Sequence, residues 1–124
     1  MKAEYPGEYI HMIIAEIPTL KDGKTILFIS VDNYSRYAFS DAVLSPLSFE
    51  KLCGHLDKMM DKLGADHPGV IPTFILAFGE ELQFRLKAYY TERARFIFNV
   101  PEANSIAKPV ADDLFKSISK RFKN

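Results

Sequence analysis

The chain is predicted to fold as one α/β domain, a five-stranded mixed sheet flanked by helices. Three observations predict it. Three apolar, β-rich runs separated by turn residues open the chain, which reads as an antiparallel meander. From Ser48 onward the apolar period becomes helical, and helices then alternate with short strands. The 124 residues, 48% hydrophobic, suffice for one core but not for two.

Ile10 to Ile17 (IHMIIAEI) is apolar enough to be buried on both faces, as a central strand is. Lys21-Asp22-Gly23-Lys24 follows, and Asp-Gly signals a hairpin. Thr25 to Val31 is the second strand and Asp32-Asn33-Tyr34-Ser35 a second turn. Arg36 to Leu44, with Tyr37 and Phe39 alternating against Ala38 and Ser40, is the third strand. Ser48 then caps a helix whose apolar stripe is Phe49, Leu52, Cys53, Leu56, Met59 and Leu63, with Gly64 placed to end it. Ile71 to Leu76 reads as a short buried strand. Leu82, Leu86 and Tyr89 mark a second helix, ending near Glu92. Ala94 to Val100 alternates as a fifth strand, and Pro101 to Lys108 is a loop. Pro109 fits the first turn of a last helix bearing Val110, Leu114, Ile118 and Phe122 at four-residue spacing. The order is β-β-β-α-β-α-β-α. Residues 1–8 read as an N-terminal extension and 9–124 as the domain.

Sixteen basic and sixteen acidic residues give a net charge of zero, which excludes a strongly basic, histone-like chain. The zero is unevenly distributed: residues up to Leu82 carry a net −5, those from Gln83 onward a net +5. That split reads either as a chance surface dipole or as a basic partner face. One cysteine, Cys53, excludes an intramolecular disulfide. No apolar stretch is long enough to span a bilayer, and the N-terminus lacks the apolar run of a signal peptide. A cytoplasmic location, no membrane partner and no small-molecule substrate are expected.

Four segments, in order, carry a family resemblance. Ile13-Ile14-Ala15-Glu16-Ile17-Pro18-Thr19 resembles the first-strand motif Asp-Ile-Thr-Tyr-Ile-Pro-Thr of bacterial transposases, and His11 two residues earlier matches one variant of it. Val31-Asp32-Asn33-Tyr34-Ser35-Arg36-Tyr37 is close to the Asp-x-Tyr-Ser-Arg turn after the second strand. Leu76-Ala77-Phe78-Gly79-Glu80-Glu81 resembles Thr-Asp-x-Gly-Ser-Glu at the end of the fourth strand. Val110-Ala111-Asp112-Asp113-Leu114-Phe115 resembles Val-Ala-Glu-Ser-Phe-Phe at the start of the last core helix. The chain thus resembles the catalytic core of retroviral integrases and insertion-sequence transposases, with the ribonuclease H-like fold. The resemblance implies DNA strand transfer with two Mg²⁺ or Mn²⁺ ions held by an Asp, an Asp and a Glu. It also implies DNA and a second copy of the chain as partners, the dimer joined through the first and later helices.

The first two metal-binding positions of that family are Ile13 and Ala77 here, and the third is Asp112. Neither Ile nor Ala can coordinate a cation. The expectation is therefore a core domain in which the acidic triad is degenerate, which needs no metal cofactor. It would act by DNA binding, protein binding or self-association in integration or transposition. The alternative is an active strand-transfer fragment with a rearranged metal site. Against that alternative, Glu16 is an odd number of residues from position 13 and points to the opposite sheet face. Glu80 and Glu81 follow the strand, and Asp32 reads as an acceptor for turn amides.

Lys116 and Lys120 follow Asp112 at four-residue steps on one helix face. With Lys108 they are the candidate phosphate contacts, read against a solvated amphipathic face. Cys53 reads as core. His11, His55 and His67 have no zinc-ligand spacing, and Ser35 has no recognisable base partner.

Overall fold

A computed structural model describes residues 2–19, 23–44, 46–98, 109, 112, 113 and 116. The strands are β1 (Tyr9–Thr19), β2 (Gly23–Asp32), β3 (Ala38–Leu44), β4 (Thr73–Leu76) and β5 (Arg95–Phe98). The helices are α1 (Phe49–Asp66) and α2 (Gln83–Tyr90), the latter preceded by a 3₁₀ turn over Glu80–Leu82. The sheet order is β3-β2-β1-β4-β5. β1, β2 and β3 form the antiparallel meander; β1–β4 and β4–β5 are parallel. This is the five-stranded mixed topology of the ribonuclease H-like fold.

β1 is central because its sequence tolerates burial on both sides. Ile10 and Met12 join Ile26, Phe28, Phe74 and Phe96 in a core under α1 and α2. The alternate residues His11, Leu27, Ile29, Val31 and Ile75 belong to the opposite face and are also buried. Leu52, Leu56 and Met59 of α1 and Leu86 and Tyr90 of α2 complete the first core. The Ser48 hydroxyl accepts from the Lys51 amide at 3.2 Å, the expected N-cap.

Four of the boundaries that differ from the sequence expectation have a clear local reason. α1 runs through Gly64 to Asp66, and the His67 amide caps it on the Leu63 carbonyl at 2.7 Å. Pro68 restricts His67 away from helical backbone, so proline rather than glycine ends this helix. β3 begins at Ala38, not Arg36, because Arg36 has φ 64° in a tight turn whose amide bonds the Asp32 carbonyl. β4 begins at Thr73, with Ile71 exposed and Pro72 lacking an amide donor. α2 ends at Tyr90, where Thr91 takes φ 45°.

In α2 it is Tyr90 that is buried, while Tyr89, expected on the apolar stripe, is half exposed. Four-residue steps from Leu82 through Leu86 lead to Tyr90, so the buried side is set by that phase. The Tyr90 hydroxyl donates to the Asp57 carboxylate at 2.9 Å and the Cys53 carbonyl at 3.3 Å. Burial, then these bonds, hold its proton on well above the ordinary phenol range. Cys53 is core, as expected, and burial raises its thiol.

Pro109, Asp112, Asp113 and Lys116 are helical and exposed. The remainder of the expected last helix, and the loop before it, lie outside the described residues.

Candidate functional site

The parallel pairing of β1 and β4 positions the site. Its last registered pair is Met12 with Leu76. The next residues are Ile13, still within β1, and Ala77, the first residue after β4. Ile13 alternates with Ile10 and Met12, which enter the α1 core, so it belongs to the opposite face together with His11. Across the β1–β2 ladder Ile13 opposes Ile29, which is fully buried. Ile13 and Ala77 are themselves partly buried.

Neither of these two positions carries a metal donor. A secondary-butyl group and a methyl group offer no lone pair, so the two positions do not fit Mg²⁺ or Mn²⁺. Among the described residues, no group of three or more His, Cys, Asp or Glu side chains is placed to share a metal ion. The other acids behave as structural groups. Glu16 pairs with Lys24 across β1 and β2 at 3.4 Å, both side chains more than half exposed. Asp32 accepts from the Gly7 amide at 3.1 Å, the Tyr34 amide at 3.3 Å and the Ser35 hydroxyl at 2.7 Å. It fastens the N-terminal segment and the β2–β3 turn to the sheet. Glu80 and Glu81 lie on the 3₁₀ turn after Gly79, whose φ of 76° turns the chain away from the line of β4.

Asp112 and Lys116 are exposed on a helix, one turn apart, so they share a face. Lys108 and Lys120 lie outside the described residues.

Two buried polar pairs were not legible as such in the sequence. His55 Nε2 lies 2.7 Å from the Ser30 hydroxyl, with both residues fully buried between β2 and α1. His11 Nε2 lies 2.9 Å from Asn33 Nδ2 on the opposite face. The signal for His55 was its phase: it falls three after Leu52 and four before Met59, inside the buried stripe. Its full burial keeps solvent and substrate from this Ser–His pair.

No family model matches the sequence, and no curated protein is detectably similar to it. Solved structures are. The chain superposes on a subunit of the simian T-cell lymphotropic virus intasome in complex with PP2A regulatory subunit B56 gamma, with a TM-score of 0.78 and 15% identity. That match covers 99% of this chain and 44% of the other, so this chain spans less than half of that protein. The HTLV-2 integrase catalytic core domain, solved with magnesium in a dimeric form, matches at TM-score 0.60 and 15% identity over 94% of this chain and 76% of the other. At such identity the likeness establishes the fold, which is that of the retroviral integrase core.

Proposed function

We infer that this integrase-fold domain works in DNA integration or transposition by binding rather than by cutting. One observation supports the reading: β1 and β4 pair in parallel up to Met12 and Leu76, and the residues that follow, Ile13 and Ala77, carry no carboxylate. The test is a nicking and strand-transfer assay in Mg²⁺ and in Mn²⁺, run beside a DNA mobility shift. A salt-sensitive shift without nicking is expected. Metal-dependent nicking would replace this reading with an active fragment whose metal site is rearranged.

DNA contact is assigned to the basic last third, with Lys108, Lys116 and Lys120 as the candidate phosphate contacts. Each lysine exchanged for glutamate should remove at least one phosphate contact, lowering the slope of log affinity against log salt by about one. Lys116→Glu with Lys120→Glu is expected to abolish the shift at ~150 mM salt, where several phosphate contacts are worth orders of magnitude in affinity. An unchanged shift would place DNA elsewhere or nowhere.

Self-association is assigned to the outer face of α1 and α2. Phe84 is 85% exposed and Tyr89 half exposed. Arg85 stacks on Phe49 at 4.0 Å, and Phe49 meets Tyr89 edge-on at 5.9 Å. Large exposed aromatics with an arginine among them are the composition of an interface centre. Phe84→Glu should weaken self-association at least ~tenfold, because burying a charge in such a centre costs more than 1.4 kcal/mol. Sedimentation equilibrium of both proteins measures it; identical association constants would remove this face from the assembly.

A further inference from the structure

A cavity of about 250 Å³ lies between the N-terminal segment, the β2–β3 turn and the last turns of α1. It belongs to the α1 side of the sheet, away from Ile13 and Ala77. Ile10, Met59 and Leu63 form its apolar wall, and the half-exposed ring of Tyr37 flanks it. Asp32, 8% exposed, contributes its carboxylate, of which one oxygen accepts only the Ser35 hydroxyl among the bonds described above. Asp66 stands at the rim.

The charge here runs against ordinary helix design. The C-terminal end of a helix carries a partial negative charge and is normally matched by Lys or Arg. The last turn of α1 has no basic residue and ends on Asp66. An acidic helix end, a buried carboxylate and an aromatic face therefore surround one small space. Among the described residues that line it, the one lysine or arginine is Lys62, from the preceding turn. Lys62 Nζ sits 5.1 Å from the centre of the Tyr37 ring and 3.8 Å from the Asp66 carboxylate. Both contacts are exposed and weak, so Lys62 is displaceable. Its position marks where a positive charge is stabilised.

We propose that this cavity receives an arginine side chain of a partner protein. A guanidinium is planar and weakly hydrated, stacks on an aromatic face and donates to carboxylates on two sides. Its three-carbon stem suits the wall of Ile10, Met59 and Leu63. The assignment is independent of the DNA reading and uses none of its residues.

The probe is N-acetyl-argininamide, titrated into the full chain and followed by amide and methyl NMR. The neutral isostere N-acetyl-citrullinamide is the control. Saturable shifts confined to Tyr37, Met59, Lys62, Leu63 and Asp66 are expected with the arginine compound alone. Tyr37→Leu should weaken binding by about tenfold. Asp66→Asn should weaken it several-fold. Lys62→Gln should tighten it, because it removes the resident cation, whereas a merely structural lysine would not do so. All three side chains are exposed, so the fold survives these changes. Equal shifts from citrullinamide, weaker binding by Lys62→Gln, or no saturation by ~20 mM (a Kd that would mean less than about 2.5 kcal/mol of binding) each overturn the proposal.

Discussion

Replacing Ile13 and Ala77 together by aspartate should destabilise the domain by about 2–4 kcal/mol at neutral pH, and Mg²⁺ should restore much of it. Ile13 is partly buried and opposes the fully buried Ile29, so a carboxylate there is poorly hydrated. The β1–β4 register, continued one residue past Met12 and Leu76, would set the second aspartate near the first, and adjacent carboxylates resist double ionisation. For a domain of this size the loss corresponds to a fall in Tm of roughly 10 °C. A divalent cation between the two oxygens relieves both penalties, keeping several waters of its own. At ten times its Kd it would return about 1.4 kcal/mol. Thermal melts in MgCl₂ against NaCl of equal ionic strength measure this. The wild-type chain and Ile13→Asp alone should show no Mg²⁺-specific gain. A wild-type gain equal to that of the double variant would mean that a metal site already exists. No gain in the double variant would mean that the β1–β4 register does not continue from Met12 and Leu76 to positions 13 and 77.

The apolar pair also changes the local field. An active site of this fold holds several negative charges close together, which oppose DNA phosphate until cations neutralise them. With Ile13 and Ala77 in place, that repulsion is reduced and no cation is needed to offset it. On the binding reading proposed above, phosphate approach would then depend on the lysines of the last third.

How far the sequence could be read depended on the range of the interaction concerned. The three meander strands were legible because each combines a local run with a local turn, and β1 announced its central place by burying both Ile10 and His11. The ends were less so. Gly64 looks like a helix stop, yet the stop is set by Pro68, four residues on, through the backbone of His67. Tyr89 and Tyr90 are equivalent by composition; the four-residue phase from Leu82 through Leu86 decides which one enters the core, and Asp57 and the Cys53 carbonyl on α1 receive its hydroxyl there. Ile13 and Ala77 could be paired only through resemblance, because 63 residues separate them and the parallel ladder that joins the preceding Met12 and Leu76 leaves no local signal. Ser30 and His55 carried no motif at all; a strand parity and a helix phase had to coincide in space for them to meet.

That Ser30–His55 pair leads to the second large effect. Stability should fall by about 3 kcal/mol as pH drops from about 7 to 4, beyond any contribution from other groups. His55 is fully buried, stacks on Phe28 at 5.2 Å between ring centres, and meets Phe39 at 5.6 Å. Its Nδ1 finds no hydrogen-bond partner among the described residues. The neutral tautomer protonated at Nε2 donates to the Ser30 oxygen and leaves Nδ1 as a bare acceptor. Protonating Nδ1 would bury a charged donor with nothing to receive it. Burial accordingly lowers the pKa from 6.5 to about 4. Asp41 opposes that shift and Lys58 reinforces it; the two are paired to each other at 2.9 Å, so neither is free to rescue the imidazolium. The sign follows from proton binding. Between pH 6.5 and 4 the unfolded chain takes up the proton and the folded one does not, so lowering pH favours unfolding. The stabilisation is complete above the upper value and gone below the lower. Urea denaturation across this window, compared with Ser30→Ala/His55→Leu, isolates the effect. That variant removes both polar partners together, so no hydroxyl is left orphaned and stability near pH 7 should change little. Its pH profile should be flatter than the wild type by the full amount; parallel profiles would show that His55 is protonated in the fold and that its burial is being offset by a partner not yet identified.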